Sequence, residues 1–497
     1  MSILLTPRAE QYAERMAIIA EEGSFTYRQL LEASARVASF ILNGAEDLQE
    51  RPVGFLVPPG FHYVAVQWGI WRAGGIAVPL SLFHPRPELE YVIDDTTPAV
   101  VVAHPDYSGR VAPIAAARAL RFGLSTEALE NPAGPLPAVA PERRAMILYT
   151  SGTTGKPKGV VTTHANIAAQ IISLVQAWGW TGEDRILEVL PLHHIHGIVN
   201  VISCALWVGA VCEIFPRFDP AKVWERIVRG GLTLFMAVPT IYVKLIDAWE
   251  KAAPADRERM SAGCRRMRLM VSGSAALPVP TLERWKEISG HVLLERYGMT
   301  EIGMGLSNSL QGQRYPGCVG KPLPGVEARL MELGAPAPAG TPGEIEIRGP
   351  AVFLEYWGKP EETKKSFRDG WFLTGDVAVE ENGIYRILGR SSVDIIKTGG
   401  YKVSALEIEA TLLTHPDINE VAVVGVPDPV WGERVVAALV LREGANLDTK
   451  SLRAWGKERL ATYKVPQDVV ILQELPRNAM GKVSKPDLEK IIQGAQG

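Results

Sequence analysis

Tyr149-Thr-Ser-Gly-Thr-Thr-Gly-Lys-Pro-Lys-Gly159 follows directly on the apolar run Ala145-Met-Ile-Leu148. The run has the composition of a short buried strand, and the segment after it is small, hydroxyl-rich and twice basic. The small residues Thr150, Ser151, Gly152, Thr153, Thr154 and Gly155 let backbone N–H groups and hydroxyls approach phosphate oxygens, while Lys156 and Lys158 add positive charge. Pro157 stands where a Walker A loop needs its second glycine, so the cradle is of another kind. A plain Gly/Thr turn is the competing reading. Six hydroxyl or Gly positions in a row, with two lysines, disfavour it.

Outward from this segment, short apolar runs alternate with amphipathic stretches. Thr26 and Gln29 form a capping box that opens a helix to about position 41. Residues 52–57 read as a buried strand and 63–72 as a helix ended by Gly74-Gly75. Further apolar runs lie at 99–103 and 186–190. Helices are expected over 220–228 and 240–249, on either side of a strand at 232–238. A strand at 267–271 breaks at Ser272-Gly273-Ser274, ahead of a helix with Leu282, Trp285 and Ile288 on one face. This alternation predicts an α/β fold: a large N-terminal domain of helix-covered, mostly parallel sheets.

From about Gly343 shorter strands with Gly turns take over, as in a β-barrel-like subdomain. The last hundred or so residues read as a small α+β unit. Ser404 and Glu407 cap a helix to about 413, with strands at 421–426, 435–441 and 469–472 and a helix at 452–460. The boundary is placed near Arg390, giving domains 1–389 and 390–497.

A chain of 497 residues is too long for one ordinary core, which agrees with two domains. A formal charge of −3, from 52 basic and 55 acidic residues, argues against a nucleic-acid footprint. Cys204, Cys212, Cys264 and Cys318 form no CxxC pair and no zinc pattern, as expected of idle thiols in a reducing compartment. Glu10, Glu14, Glu21 and Glu22 interrupt anything resembling a leader, and the uncharged stretch 198–212 is too short to cross a bilayer. A cytoplasmic protein without membrane contact is expected, acting as a monomer or homodimer.

Four more segments come after the phosphate loop: Tyr297-Gly-Met-Thr-Glu301, Thr374-Gly-Asp376, Gly389-Arg390 with Lys397-Thr-Gly-Gly400, and Arg477-Asn-Ala-Met-Gly-Lys482. In this order, and over essentially the whole chain, they resemble the adenylate-forming superfamily of acyl-CoA synthetases, peptide-synthetase adenylation domains and luciferases. The resemblance implies ATP, Mg²⁺ and CoA as reactants and cofactor, with the active site between a large domain and a small mobile one. It assigns Glu301, after Thr300, to the magnesium, and Gly273, Ser274, Ala275, Tyr297 and Arg390 to the nucleotide. Asp376, read as part of a tight Thr-Gly-Asp turn, has two oxygens for the two ribose hydroxyls. Lys482 is the catalytic cation, because an attacking carboxylate and an α-phosphate repel until a positive charge bridges them. After adenylation the small domain turns, and Gly399, Gly400, Tyr401 and Lys402 replace Lys482 beside the thiol path. Ser392 departs from the Asp or Lys that many relatives carry at the pivot.

The acid is read from two places. Leu190-Pro-Leu-His-His-Ile-His-Gly197 occupies the family's acyl-pocket segment with His193, His194 and His196 where a fatty acid would want apolar residues. Arg296, directly before Tyr297 at the pocket end of a strand read over 292–295, suits a second carboxylate that stays charged after the first is adenylated. The competing reading pairs Arg296 with Glu295 or another acid away from the pocket. The motifs together resemble the malonyl-CoA synthetase branch, which implies that Arg296, His194, His196 and Ser272 hold the free carboxylate of a small dicarboxylic acid, malonate. Methylmalonate, another short acid or an aryl acid are alternatives. So are a luciferase-type oxygenase, a carrier-protein acceptor and, from a different class, a non-catalytic adenylate sensor on the same fold.

Overall fold

The runs expected near 52–57 and 99–103 become adjacent parallel strands, Pro52–Leu56 and Val100–Ala103, with every residue buried. Fully apolar runs are what a strand needs when helices cover both faces of its sheet. The computed structural model describes residues 5–150, 157–399, 401–477 and 483–494, without the side chain of Lys402. Among the described residues these strands belong to a seven-stranded sheet, beside a nine-stranded one. The nine-stranded sheet has six parallel strands at its centre, in the order Leu294–Met299, Leu269–Ser272, Leu234–Ala237, Arg185–Glu188, Val211–Ile214 and Met16–Ala20. One hydrophobic core runs between the two sheets, through Trp68, Trp178, Leu174 and Phe55.

The shorter Gly-punctuated strands form a separate antiparallel sheet, whose long strand Trp371–Glu381 pairs with Gly343–Arg348 and Ile384–Arg390. The next sheet begins at Ile395–Thr398 and has its own core on both faces. Val423, Val435, Ala437 and Leu439 face one side with Ile408, Leu412 and Leu452; Ala422, Val424, Val436 and Ala438 face the other with Leu488 and Ile492. That alternation is the period-two pattern of a strand covered on both sides.

Three local expectations shift. The apolar run at 186–190 leaves its strand at Glu188, and the stretch after 195 is a π-helical segment, His196–Ser203, followed by the helix Cys204–Val208. Asp376 sits inside the strand Trp371–Glu381 opposite Arg390, not in a tight turn, although Gly375 before it takes φ +72°. Arg296 lies within its strand, Leu294–Met299, where the sequence pattern ended the strand at 295. Cys204, Cys212, Cys264 and Cys318 are free thiols, the first three buried. No helix among the described residues is long and apolar enough to cross a membrane.

The capping box forms as read. The Gln29 N–H donates to Thr26 Oγ1 at 3.3 Å and the Thr26 N–H to Gln29 Oε1 at 2.8 Å, opening the helix Tyr27–Leu42. Thr26→Ala removes one half of it and is expected to cost about 1 kcal/mol in denaturant unfolding. Turnover should be unchanged, because the cap lies outside the segments that carry the chemistry.

Candidate functional site

Strands Arg144–Thr150 and Lys158–Thr163 pair antiparallel with Thr150 opposite Lys158, which brings the two ends of the phosphate segment together. Ser151, Gly152, Thr153, Thr154, Gly155 and Lys156 lie outside the described residues. The flanks are tied down: Tyr149 donates to Asp95 at 2.5 Å and Tyr91 to the Pro157 carbonyl at 2.8 Å. The Lys158 ammonium stands 2.5 Å from Glu362 and 5.0 Å above the Tyr356 ring.

Tyr356 leads to the carboxylate that sequence reasoning singled out. Thr300 and Glu301 lie between the antiparallel strands Leu294–Met299 and Gly303–Ser307, and Glu301 is only 6% exposed. The Tyr356 hydroxyl donates to Glu301 Oε1 at 3.0 Å, and burial raises the Glu301 pKa. A buried carboxylate of this kind fits a divalent cation that takes most of its other oxygens from phosphates and water. No cluster of three or more His, Cys, Asp or Glu is present among the described residues. In the same strand the Tyr297 hydroxyl donates to Asp376 Oδ2 at 2.6 Å, while Arg390 Nε meets Asp376 Oδ1 at 3.1 Å. Both carboxylate oxygens are therefore fixed in place before any hydroxyl of a ligand arrives.

One strand register away lies the cationic end. Alternation along Leu294–Met299 sends Glu295 and Arg296 to opposite faces. Glu295 accepts the Gly317 N–H at 2.9 Å, with its pKa pushed up to about 8 by burial. It does not pair with Arg296. Arg296 is 4% exposed and has no carboxylate within ion-pair distance among the described residues. Burial pulls its pKa down to about 9.

Its polar contact is a serine: Arg296 Nη2 donates to Ser274 Oγ at 3.2 Å, and that oxygen lies 3.4 Å from His196 Nδ1. Room for the guanidinium depends on Gly273, where a Cβ would sit 2.4 Å from Arg296 Nε. Ser272 Oγ, His196 Nε2 and Arg296 Nε are all buried without a partner. His196 is kept neutral, its pKa drawn well down by burial and by the Arg296 charge. The His193 and His194 rings lie 4.0 Å apart, and burial with His194 draws the His193 pKa down to about 2.

The segment's start is held by Glu188, which accepts the Leu190 N–H, has its pKa pushed up to about 8 by burial, and leaves Oε2 unpartnered.

On the small unit, Gly399 takes φ +56° between the strands Ile395–Thr398 and Tyr401–Ser404, and a Cβ there would lie 3.0 Å from the Trp431 ring. Tyr401 is exposed and stacks on Tyr463 at 4.2 Å. Gly400, the Lys402 side chain and Lys482 lie outside the described residues. Ser392 is exposed, and Arg434 pairs with Asp468 at 2.7 Å. Ala275 is exposed in the loop after Ser272.

Sequence reasoning placed Ser274 with the nucleotide; here its hydroxyl joins Arg296 to His196. Nothing in the residue order signals that contact, because it depends on the left-handed backbone of Ser274, φ +70°. Tyr356 and Glu188 were also missed, since a Tyr or Glu in an apolar run signals burial only once its neighbours are placed.

Parallel strands ending on a basic phosphate segment, a buried carboxylate and a buried cation define an enzyme that holds a nucleotide and an acid together. The model of the AMP-binding enzyme family matches residues 5–357, and that of the AMP-binding enzyme C-terminal domain matches 407–482. The mitochondrial malonate–CoA ligase of Mus musculus is 49% identical, over 97% of this chain and 89% of its own. The malonate–CoA ligase of Arabidopsis thaliana is 39% identical, over 98% and 88%. The crystal structure of ATP-bound MatB from Rhodopseudomonas palustris superposes with a TM-score of 0.91 at 35% identity, covering 100% of both chains. The chain belongs to the AMP-binding enzyme family.

Glu295 offers a test of the electrostatics. Its folded pKa, about 8, lies above its ordinary 4.5, so folding retains a proton that the unfolded chain releases. Stability is therefore lost as pH rises from about 4.5 to 8 and is level beyond. Glu295→Gln keeps the acceptor for Gly317 and removes the titration. Denaturant midpoints of the two proteins should agree near pH 4 and diverge, with the variant the more stable, by pH 8.

Proposed function

We propose that this chain activates malonate with ATP as malonyl-adenylate and then transfers the malonyl group to CoA, releasing pyrophosphate and AMP. One observation carries the choice of acid. Arg296 is a buried cation without a carboxylate partner, beside unpartnered polar atoms of Ser272 and His196. Leaving a buried charge unpaired costs on the order of 3–5 kcal/mol, which a ligand carboxylate returns. An acyl chain ending in a methyl group would return nothing. The ligase names of the relatives support the same reading.

In this reading one malonate carboxylate attacks the α-phosphate and pyrophosphate leaves; the CoA sulfur then attacks the acyl carbon and AMP leaves. Arg296 holds the other carboxylate, with His194, His196 and Ser272 around it and Ser274 orienting the guanidinium. Asp376 receives the ribose hydroxyls, positioned by Tyr297 and Arg390. Glu301, with Thr300, would hold the magnesium, which neutralises phosphate charge when bound. Lys482 screens the two anions in the first step, and the Gly399–Lys402 loop takes its place in the second. The turn between steps is assigned to the peptide after Arg390.

Initial rates with malonate, methylmalonate, acetate and octanoate test the acid. Malonate should lead in kcat/KM; acetate or octanoate ahead of it would end the dicarboxylate reading. Arg296→Ala is expected to lower kcat/KM for malonate by about a hundredfold or more and for acetate by less than about threefold. The Arg296 cation is present below its pKa of about 9 and lost above it. Since kcat/KM reports the free enzyme, malonate rates should fall about tenfold per pH unit above about pH 9, a limb absent from the acetate profile.

Ser274→Gly separates strain from function. A serine at φ +70° carries roughly 1 kcal/mol of backbone strain that glycine does not. The variant should melt no earlier than the parent, yet raise the KM for malonate by about tenfold through the lost hydroxyl.

A further inference from the structure

The loop carrying Glu301 and the segment carrying His196 come from distant parts of the chain, yet one side chain touches the backbone or side chains of both. Gln170, in the helix His164–Trp178, is 3% exposed. Its Oε1 accepts the Met304 N–H at 2.9 Å, and its Nε2 donates to Asn200 Oδ1 at 3.3 Å. Met304 follows Glu301 by three residues across the hairpin. Asn200 follows His196 by four within the π-helical segment, a wide-turned form found mostly at functional sites.

Both contacts are specified locally. The ladder between Leu294–Met299 and Gly303–Ser307 changes register between Tyr297 and Gly298, and next to that irregularity the Met304 N–H turns to Gln170. Such bulges re-aim a strand beside a site. Gly303 has φ +66°, and a Cβ on it would stand 1.4 Å from Gln170 Oε1. The amide thus occupies the space a side chain would take, which leaves the hairpin backbone seated directly on it. Asn200 is fully buried with Nδ2 unpartnered. Its bond to Gln170 is therefore the polar contact that ties this turn of the segment to the helix His164–Trp178.

We infer that Gln170 is a positioning residue that holds the Thr300–Glu301 hairpin in register with the acid pocket. The inference rests on the assignment of Glu301 to magnesium and of the 190–197 segment to the acid. With an apolar residue at 170, the Met304 N–H is a buried orphan and the hairpin moves to satisfy it, carrying Glu301 away from the phosphates.

The experiment is the Mg²⁺ dependence of malonate-driven pyrophosphate release. Gln170→Met, similar in length but unable to make either bond, should raise the Mg²⁺ concentration for half-maximal rate about tenfold, with kcat at saturating Mg²⁺ within about threefold. Asn200→Leu keeps the Met304 bond and should give a shift of about threefold. Thermal melts identify the folded variants. A residue that only supports folding would lower the melting temperature and the active fraction without moving the Mg²⁺ midpoint, and that result overturns the proposal for whichever variant folds.

Glu301→Gln in the parent separates the magnesium assignment from the role of Gln170, with Mg²⁺-dependent ATP binding read by calorimetry if turnover is too slow. If Glu301→Gln leaves the midpoint unmoved, the magnesium assignment fails and the inference with it. If Glu301→Gln moves the midpoint and Gln170→Met does not, only the role of Gln170 fails.

Discussion

Among the described residues, a guanidinium buried without a carboxylate counterion is the constraint around which this end of the site is built. The fold accommodates Arg296 through three separate concessions. Position 273 carries no side chain, because any Cβ would meet the guanidinium. Position 274 keeps a serine in a left-handed backbone conformation so that its hydroxyl can meet both Arg296 and His196. The neighbouring Glu295, which by charge alone is the obvious partner, is turned to the other face by strand alternation and bonded to Gly317. The common effect of the three is a cation left for a ligand to neutralise.

The nucleotide side is organised by a different logic, in which charges are paired in advance. Tyr297 and Arg390 hold the two oxygens of Asp376, so the carboxylate proposed for the ribose is oriented in advance. Arg390 is also the last residue of its strand, and the Asp394 carboxylate accepts its backbone N–H at 3.0 Å. Asp394 in turn pairs with Lys485 at 2.6 Å, which pairs with Glu409 at 2.8 Å inside the small unit. A run of polar contacts thus leads from Asp376 through Arg390 and Asp394 to the helix Lys485–Gly494. A preorganised nucleotide end and an unsatisfied acid end suit an enzyme whose acid specificity must come from binding itself.

Much of this was legible in the residue order, and the failures have physical causes. Alternation of apolar runs and amphipathic stretches located most of the parallel strands and covering helices, because burial on both faces demands uninterrupted apolar residues. The capping box at Thr26 and Gln29 read directly, being entirely local. Asp376 was taken for a turn residue because Thr-Gly-Asp is turn-like alone, whereas pairing with Ile384–Arg390 holds it in a strand. The π-helical segment His196–Ser203 had no signature, since its apolar residues satisfy several helical periods at once. The contacts of Ser274 had no signature for the same kind of reason: they arise from a backbone angle and from two residues 78 and 22 positions away.

The two features that distinguish small dicarboxylates act on very different energy scales. An added methyl group changes apolar contact by about 1–3 kcal/mol, and a pocket wall can yield to it. A missing carboxylate leaves Arg296 buried and unpaired, with Ser272 and His196 still unsatisfied beside it. Sites built around hydrogen bonds to a ligand group reject the analogue lacking that group by factors of about 10⁴ or more, far beyond what a methyl can impose. The geometry around Arg296 therefore predicts steep discrimination against monocarboxylates and shallow discrimination among substituted malonates. Backbone placement at Gly273 and Ser274, not side-chain size in the rest of the pocket, sets the steeper of the two.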